Sequence, residues 1–178
     1  MKTIIHYIYR SSMMRYGLVL LVLTLCIPAV GQTNNNHLMF NLGALYERGF
    51  DATVAYEHGT KYHNAWEFFG TYYIKYDDDP NAGHITRHSF WYNYRSWHLG
   101  ICYKPCVVRR RNHHGNFRLG VSGGSDTHDF LGGIHAGYEH SYSLYNGWEV
   151  YFQVKSDAII KGEDLFRTGA EIGCKIPL

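Results

Sequence analysis

Tyr56-Glu57-His58, then after five residues Asn64-Ala65-Trp66-Glu67, is a stretch the chain uses twice. It returns as Tyr138-Glu139-His140, the same interval, and Asn146-Gly147-Trp148-Glu149, with only Ala65 against Gly147 different. A match held at one fixed spacing means that one structural unit has been used twice. In each copy the residues flanking a short polar break alternate apolar and polar, which is the period-2 mark of antiparallel strands joined by a turn. The unit is a β-hairpin. Two such hairpins about half a mature chain apart imply a sheet of even strand number with approximate twofold repetition, as in a closed barrel.

Working outward, the spacing predicts eight strands at 38–47, 50–58, 66–76, 89–104, 117–122, 130–140, 148–157 and 166–176. Polar and glycine-bearing breaks separate them, including Arg48-Gly49, 77–83, 112–116, 123–126 and 162–164. Lengths near ten residues suit tilted strands that cross a bilayer. One face carries residues such as Phe40, Leu42, Val54, Phe68, Leu99, Leu119, Ile134, Phe152 and Ile172; the other carries Asn41, Asp51, Thr53, His98, His135, Gln153 and most of the charges. Such a polar face is either the outside of a soluble barrel or the interior of a membrane one. Three details favour the membrane. Tyr56, Trp66, Tyr138 and Trp148 flank the repeated turns as an interfacial girdle does. The apolar face is free of charge through the strand middles, where a lysine or arginine facing lipid costs about 2 to 4 kcal/mol. Glycines on the polar face, at 43, 100, 120, 137, 169 and 173, leave room for long charged side chains.

The expected fold is therefore all-β, an eight-stranded antiparallel up-and-down barrel of the outer-membrane type, just wide enough to be filled by its own side chains. Inside it, Glu57, Glu67, Glu139, Glu149 and Glu171 are expected to pair with Lys75, Lys104, Arg118, Lys155, Arg167 and Lys175, because a buried charge without a partner is costly.

Composition agrees. The 178 residues are 46% apolar and 18% charged, with 16 Tyr, 4 Trp and 19 Gly, a bias that suits strands with a mixed wet and greasy surface and tight turns. Lys2, Arg10 and Arg15 precede an apolar run over 17–25, and Cys26-Ile27-Pro28-Ala29-Val30-Gly31 follows. This is a basic region, an apolar region and a small-residue cleavage site, so 1–31 is read as a signal peptide and 32–178 as one barrel domain. Its removal leaves 14 basic side chains against 15 acidic ones, a balance that gives no reason to expect direct nucleic-acid binding. One local basic cluster stands out, Arg109-Arg110-Arg111 with His113-His114. The mature thiols are Cys102, Cys106 and Cys174. The first two are roughly 13 Å apart on an extended strand, beyond the reach of a disulfide, and all three are expected to be unpaired.

No catalytic, metal or cofactor constellation emerges. Twelve histidines offer no ligand spacing beyond His113-His114, whose neighbours on an extended chain point apart. The repeated carboxylate pairs Glu57/Glu67 and Glu139/Glu149 suit a lumen ion-pair layer better than a general acid and base, since an active site is needed once. Val121-Ser122-Gly123-Gly124-Ser125 is not a nucleophile elbow.

The stretch Gly162-Glu163-Asp164-Leu165-Phe166-Arg167-Thr168-Gly169-Ala170-Glu171-Ile172-Gly173-Cys174-Lys175 resembles the ending of the TraO proteins of conjugative transposons, with a Gly-x-Asp-Leu run, a Phe-Arg pair and a terminal strand of alternating glycine. Ala136-Gly137-Tyr138-Glu139 and the exported N-terminus add to the likeness, which covers about the last 45 residues well. The resemblance implies a non-enzymatic envelope component of a DNA-transfer apparatus in the outer membrane, with outer-membrane lipid and other conjugation proteins as partners. Candidate contacts are the periplasmic cluster Arg109, Arg110 and Arg111, and the outward loop bearing Asp77, Asp78 and Asp79. The competing expectations are a secreted soluble barrel holding an apolar ligand and an outer-membrane hydrolase or acyltransferase. N-terminal sequencing of the exported protein should start at Gln32; retention of residues 1–31 would remove the signal-peptide reading.

Overall fold

Buried and exposed residues alternate along the long strands, which puts successive side chains into two different surroundings. The computed structural model describes residues 36–178, and the expected signal peptide lies outside them. The elements are β1 (Asn36–Leu45), β2 (Gly49–Gly59), β3 (Ala65–Lys75), a short helix α1 (Arg87–Tyr92), β4 (Tyr94–Lys104), β5 (Cys106–Arg109), β6 (His113–Ser125), β7 (Phe130–Ser143), β8 (Glu149–Ile160) and β9 (Phe166–Pro177).

Neighbouring strands pair antiparallel in the order β4-β3-β2-β1-β9-β8-β7-β6-β5, and a further β4–β6 pairing closes the ring. β1 meets β9 from Leu38↔Ile176 to Leu45↔Gly169, and β4 meets β6 from Trp97↔Ser125 to Tyr103↔Leu119. β5 continues that register with Cys106↔Asn116 before a bulge between Cys106 and Val108. Pro105 divides β4 from β5 because it has no N–H to give a ladder, while its carbonyl accepts from Phe117 N–H at 3.0 Å. β4 and β5 are two parts of one stave. The result is a closed eight-stave barrel with no free edge.

Two expected boundaries and one expected equivalence are corrected. Residues 89–92 are not strand: the Thr86 hydroxyl accepts from Ser89 N–H at 3.2 Å and Ser89 Oγ accepts from Thr86 N–H at 3.0 Å, a reciprocal cap that starts α1. Six residues are too few for helical periodicity to appear in the sequence. β6 extends at both ends beyond the expected 117–122, absorbing residues 113–116 and Gly123-Gly124-Ser125. Those glycines serve close packing instead of a turn, since a Cβ on Gly124 would run into the Trp97 carbonyl of β4.

The third correction concerns the repeat. Both hairpins turn through the same loop: Thr60 N–H donates to the Asn64 carbonyl and Leu144 N–H to the Trp148 carbonyl, each at 2.7 Å, with Tyr62 and Asn146 both at φ 66°. Yet Glu57 faces Glu67 across the first hairpin, whereas Glu139 faces Gln153 and Glu149 faces Ser143 across the second. The matching sequences sit two residues out of step in the fold. A two-residue slip keeps every side chain on its own face, so the alternation survives.

The outer wall is apolar, with Leu42 66%, Leu99 62% and Ile172 63% exposed, while Lys104 and Glu139 inside are fully buried. This inversion overturns the soluble, ligand-filled barrel: the surface turned to the surroundings is the greasy one, and the interior is ionic. An apolar belt around a whole barrel, bracketed by Tyr56, Trp66, Phe117 and Trp148 at one end and Tyr72, Trp97, Phe130 and Phe166 at the other, matches hydrocarbon as its solvent. The first and last described residues meet at one rim, the termini rim, where Leu178 N–H donates to the Asn36 carbonyl at 3.0 Å. That rim also carries the turns 60–64, 110–112 and 144–148; the opposite rim carries 46–48, 76–93, 126–129 and 161–165. Leu119→Arg, at the middle of β6, should lower stability in vesicles by about 2–4 kcal/mol, and Tyr142→Arg near the rim by about 0–1 kcal/mol. Urea unfolding of the two variants measures the difference, and equal costs would argue against a hydrocarbon belt.

Candidate functional site

Parity sends residues of every stave inward, and the register decides which of them meet. Toward the termini rim, Lys104 at the end of β4 has Glu57 of β2, Glu67 of β3 and Glu139 of β7 around its Nζ. The Glu57 contact is the shortest, with Glu139 at 2.6 Å and Glu67 at 3.3 Å. Lys175 of β9 reaches Glu57 at 2.9 Å, Glu139 at 2.7 Å and Glu149 at 3.7 Å. Arg118 of β6 donates from Nε and Nη2 to Glu67 Oε1 at 2.9 and 2.7 Å and lies 4.6 Å from the Phe69 ring centre. Glu57, Glu67 and Glu139 bring one oxygen each within 4.8 Å of one another, as a metal site would. The Lys104 ammonium occupies that position chemically, and one cation binds three staves.

Toward the loop rim a second lysine does the same. Lys155 of β8 contacts Asp51 of β2 and Glu171 of β9 closely, and Asp157 at 3.3 Å. Asn41 adds a 2.6 Å hydrogen bond to Glu171. On β2, Ala55 stands between the two ionic levels, and it packs in a small apolar cluster with Met39, Phe69, Cys102 and Tyr151.

Beside Lys155 stands an arrangement the sequence reading missed. His135 Nδ1 lies 2.8 Å from Asp157 Oδ1 and His135 Nε2 lies 2.7 Å from Ser122 Oγ. The order nucleophile, base and orienting carboxylate is that of an acyl-transfer triad. The adjoining cavity, lined by His135, Asp157, Arg118 and Lys155, holds about 10 Å³, the space of one water. The trio links β6, β7 and β8 through one hydrogen bond and one close charge contact. Its signal was present in the sequence as matching parity on three successive strands, but His135↔Asp157 becomes visible only with the register.

Of the lumen candidates, Glu57, Glu67, Glu139, Glu149, Lys155 and Arg118 meet in the two clusters above. Two expected partners do not join them. Lys75 sits at the loop rim with Glu163 at 3.3 Å and Asp164 at 2.8 Å, because β3 ends there, far along the barrel from the glutamates. Arg167 makes no ion pair among the described residues: Nη1 donates to Ser96 Oγ at 3.0 Å and contacts His98 Nε2 at 3.2 Å, and the guanidinium lies 3.9 Å from the Tyr73 ring centre. Asp157 is opposite Arg167 in register, but its oxygens are turned to Lys155 and His135. The three thiols Cys102, Cys106 and Cys174 are free.

At the loop rim, Arg48 holds Asp77 at 3.0 Å and Asp78 at 3.2 Å. Asp79 accepts from Asn81 N–H at 3.0 Å and Thr86 Oγ1 at 2.9 Å, and these bonds, the backbone one first, hold its carboxyl below the usual range. Asp77 and Asp78 thus tie the long loop to the β1–β2 turn, and Asp79 shapes the loop itself. At the termini rim, Arg109 donates to the Tyr62 carbonyl and lies 5.2 Å from that ring, pinning the β5–β6 hairpin to the β2–β3 turn. Arg110 and Arg111 are exposed beside it.

No family model matches the chain, and no curated protein matches it. Among solved structures it is similar to neisserial surface protein A (NspA), at 12% identity over 80% of this chain and 94% of that one, with a TM-score of 0.55. It is also similar to a major outer membrane protein from Thermus thermophilus, at 10% identity over 80% and 98%, with a TM-score of 0.53. At these identities the likeness is one of fold: the closed eight-stave antiparallel barrel of outer membrane proteins. Lys104→Met takes one positive charge from Glu57, Glu67 and Glu139, leaving only Lys175 and Arg118 to balance them, and should cost about 3–5 kcal/mol, whereas Arg167→Met, which removes no ion pair, should cost less than about half as much. Urea titration of both variants in the same lipid checks the ranking, and reversal would contradict the assigned pairing.

Proposed function

We propose that the chain is an outer-membrane barrel that serves conjugative DNA transfer as a non-enzymatic mount, presenting its ends to other proteins of the apparatus. The observation that carries the reading is the crowded interior: among the described residues, the cavity beside the Lys155 ion pairs holds about 10 Å³, so recognition is assigned to the wall and the rims. The outer-membrane setting draws support from the apolar wall and from neighbours that are themselves outer membrane proteins. The transfer role draws its support from the 162–175 run described above.

Arg109, Arg110 and Arg111 form the better contact candidate. Among the described residues they are, with Lys61, the exposed side-chain charges of the termini rim, a one-signed set suited to an acidic partner. Asp77 and Asp78, held by Arg48 of the β1–β2 turn, and Asp79, bound within its own loop, give the opposite rim its shape. Disrupting the gene in a mobile element should sharply reduce mating frequency while the protein fractionates with the outer membrane. Undiminished mating would end the transfer role, and recovery as a soluble periplasmic protein would end the membrane one. Replacing Arg109, Arg110 and Arg111 by serine should abolish co-purification of the apparatus with a barrel that still folds; normal co-purification would discard this contact.

A further inference from the structure

The long loop at the loop rim does not lie over the barrel mouth. Phe50, on the outward face of β2 opposite Ile74, stacks on Tyr76 with ring centres 5.3 Å apart. Phe90 of α1 packs on both, at 5.9 Å from Phe50 and 5.8 Å from Tyr76. Trp91 meets Phe90 edge-on at 5.0 Å. The helix is therefore clipped to the outside of the wall. Trp91 on the helix and Ile85 just before it remain uncovered, at 51% and 48% exposed. They continue the aromatic belt that already includes Tyr72 and Trp97 a few residues down the wall.

A cationic fringe accompanies these rings. Arg95 lies opposite Ile74 on the outward face of β4 and lines a groove of about 250 Å³ with Tyr72, Trp97, Ser96, Ser125, Asp126 and Thr127. Arg87 is exposed on α1. The loop's own acids do not neutralise either one, since Asp77 and Asp78 are held by Arg48 and Asp79 by Asn81 and Thr86. Asp126 is the acid of the groove.

We propose that α1 and the adjoining wall form a foot for the membrane leaflet at the loop rim, with Trp91, Phe90 and Ile85 entering the boundary of the acyl chains and Arg87 and Arg95 engaging lipid phosphates. Rings with one wet edge favour that depth, and guanidinium forks match phosphate oxygens. Continuity with the belt selects lipid over a protein partner: the same wall that meets hydrocarbon below Trp97 runs unbroken to α1. The proposal requires a membrane barrel and is independent of any role in DNA transfer.

The test uses the full barrel refolded into phosphatidylcholine vesicles containing phosphatidylglycerol, with bromine carried on the acyl chains. The emission removed by Trp91→Phe isolates Trp91 from Trp66, Trp97 and Trp148. That component should be quenched by the lipid bromines and protected from aqueous acrylamide. Quenching by acrylamide with none from bromine would overturn the foot. Moving the bromines from phosphatidylcholine to phosphatidylglycerol should deepen the quenching of Trp91, and Arg87→Ser with Arg95→Ser should lower that enrichment, by about fivefold for each arginine at about 1 kcal/mol apiece. Enrichment unchanged in the double variant, with Trp91 still bromine-quenched, would overturn the phosphate contact and leave only the apolar one.

Discussion

A peptide group inside hydrocarbon has no water to bond to, and every donor and acceptor must find its partner in the chain itself. That demand explains the ring. β1 pairs with β9 although almost the whole described sequence separates them, and β4 with β5 pairs against β6 so that no edge is left open. Pro105 is tolerated because it falls beyond the last β4–β3 pair, Ala65↔Lys104, where the stave leaves its neighbour.

Closure of eight staves leaves a narrow interior, and side chains of this polarity must be balanced there. The solution is repeated at two levels. One ammonium, Lys104 or Lys155, gathers three carboxylates from different staves, so each lysine is a tie rod as much as a countercharge. Arg167 follows another route, lying on the Tyr73 ring with Ser96 and His98 as partners. The Ser122–His135–Asp157 chain likewise links neighbouring staves, β6, β7 and β8, through buried polar contacts.

Much of this was legible in the residue pattern, and the limits have physical causes. Strand number and the division into two faces follow from parity, a local property that each stretch of about ten residues declares for itself; which face looks outward follows from the aromatic strand ends, the uncharged strand middles and the glycines of the polar face. Pair identities follow from register, which is tertiary: Lys75 and Arg167 were assigned to the glutamates on charge alone, yet one ends at the rim and the other faces an Asp157 already committed. The helix Arg87–Tyr92 was hidden because one turn and a half leaves no periodic trace, and the glycines of β6 resembled a loop because close packing and turning recruit the same residue.

The two hairpins that share a sequence differ in the fold by a dipeptide, and this constrains how such a wall can change with time. Gain or loss of residues within a stave is quantised: a pair is absorbed as a shift along the axis, whereas a single residue would exchange lysines for leucines on the lipid side. The odd step at Cys106 and Val108 lies on the hairpin that projects past the wall, where that arithmetic no longer applies. Indels across descendants of this chain should therefore come in even numbers along the staves and in any number at the rims.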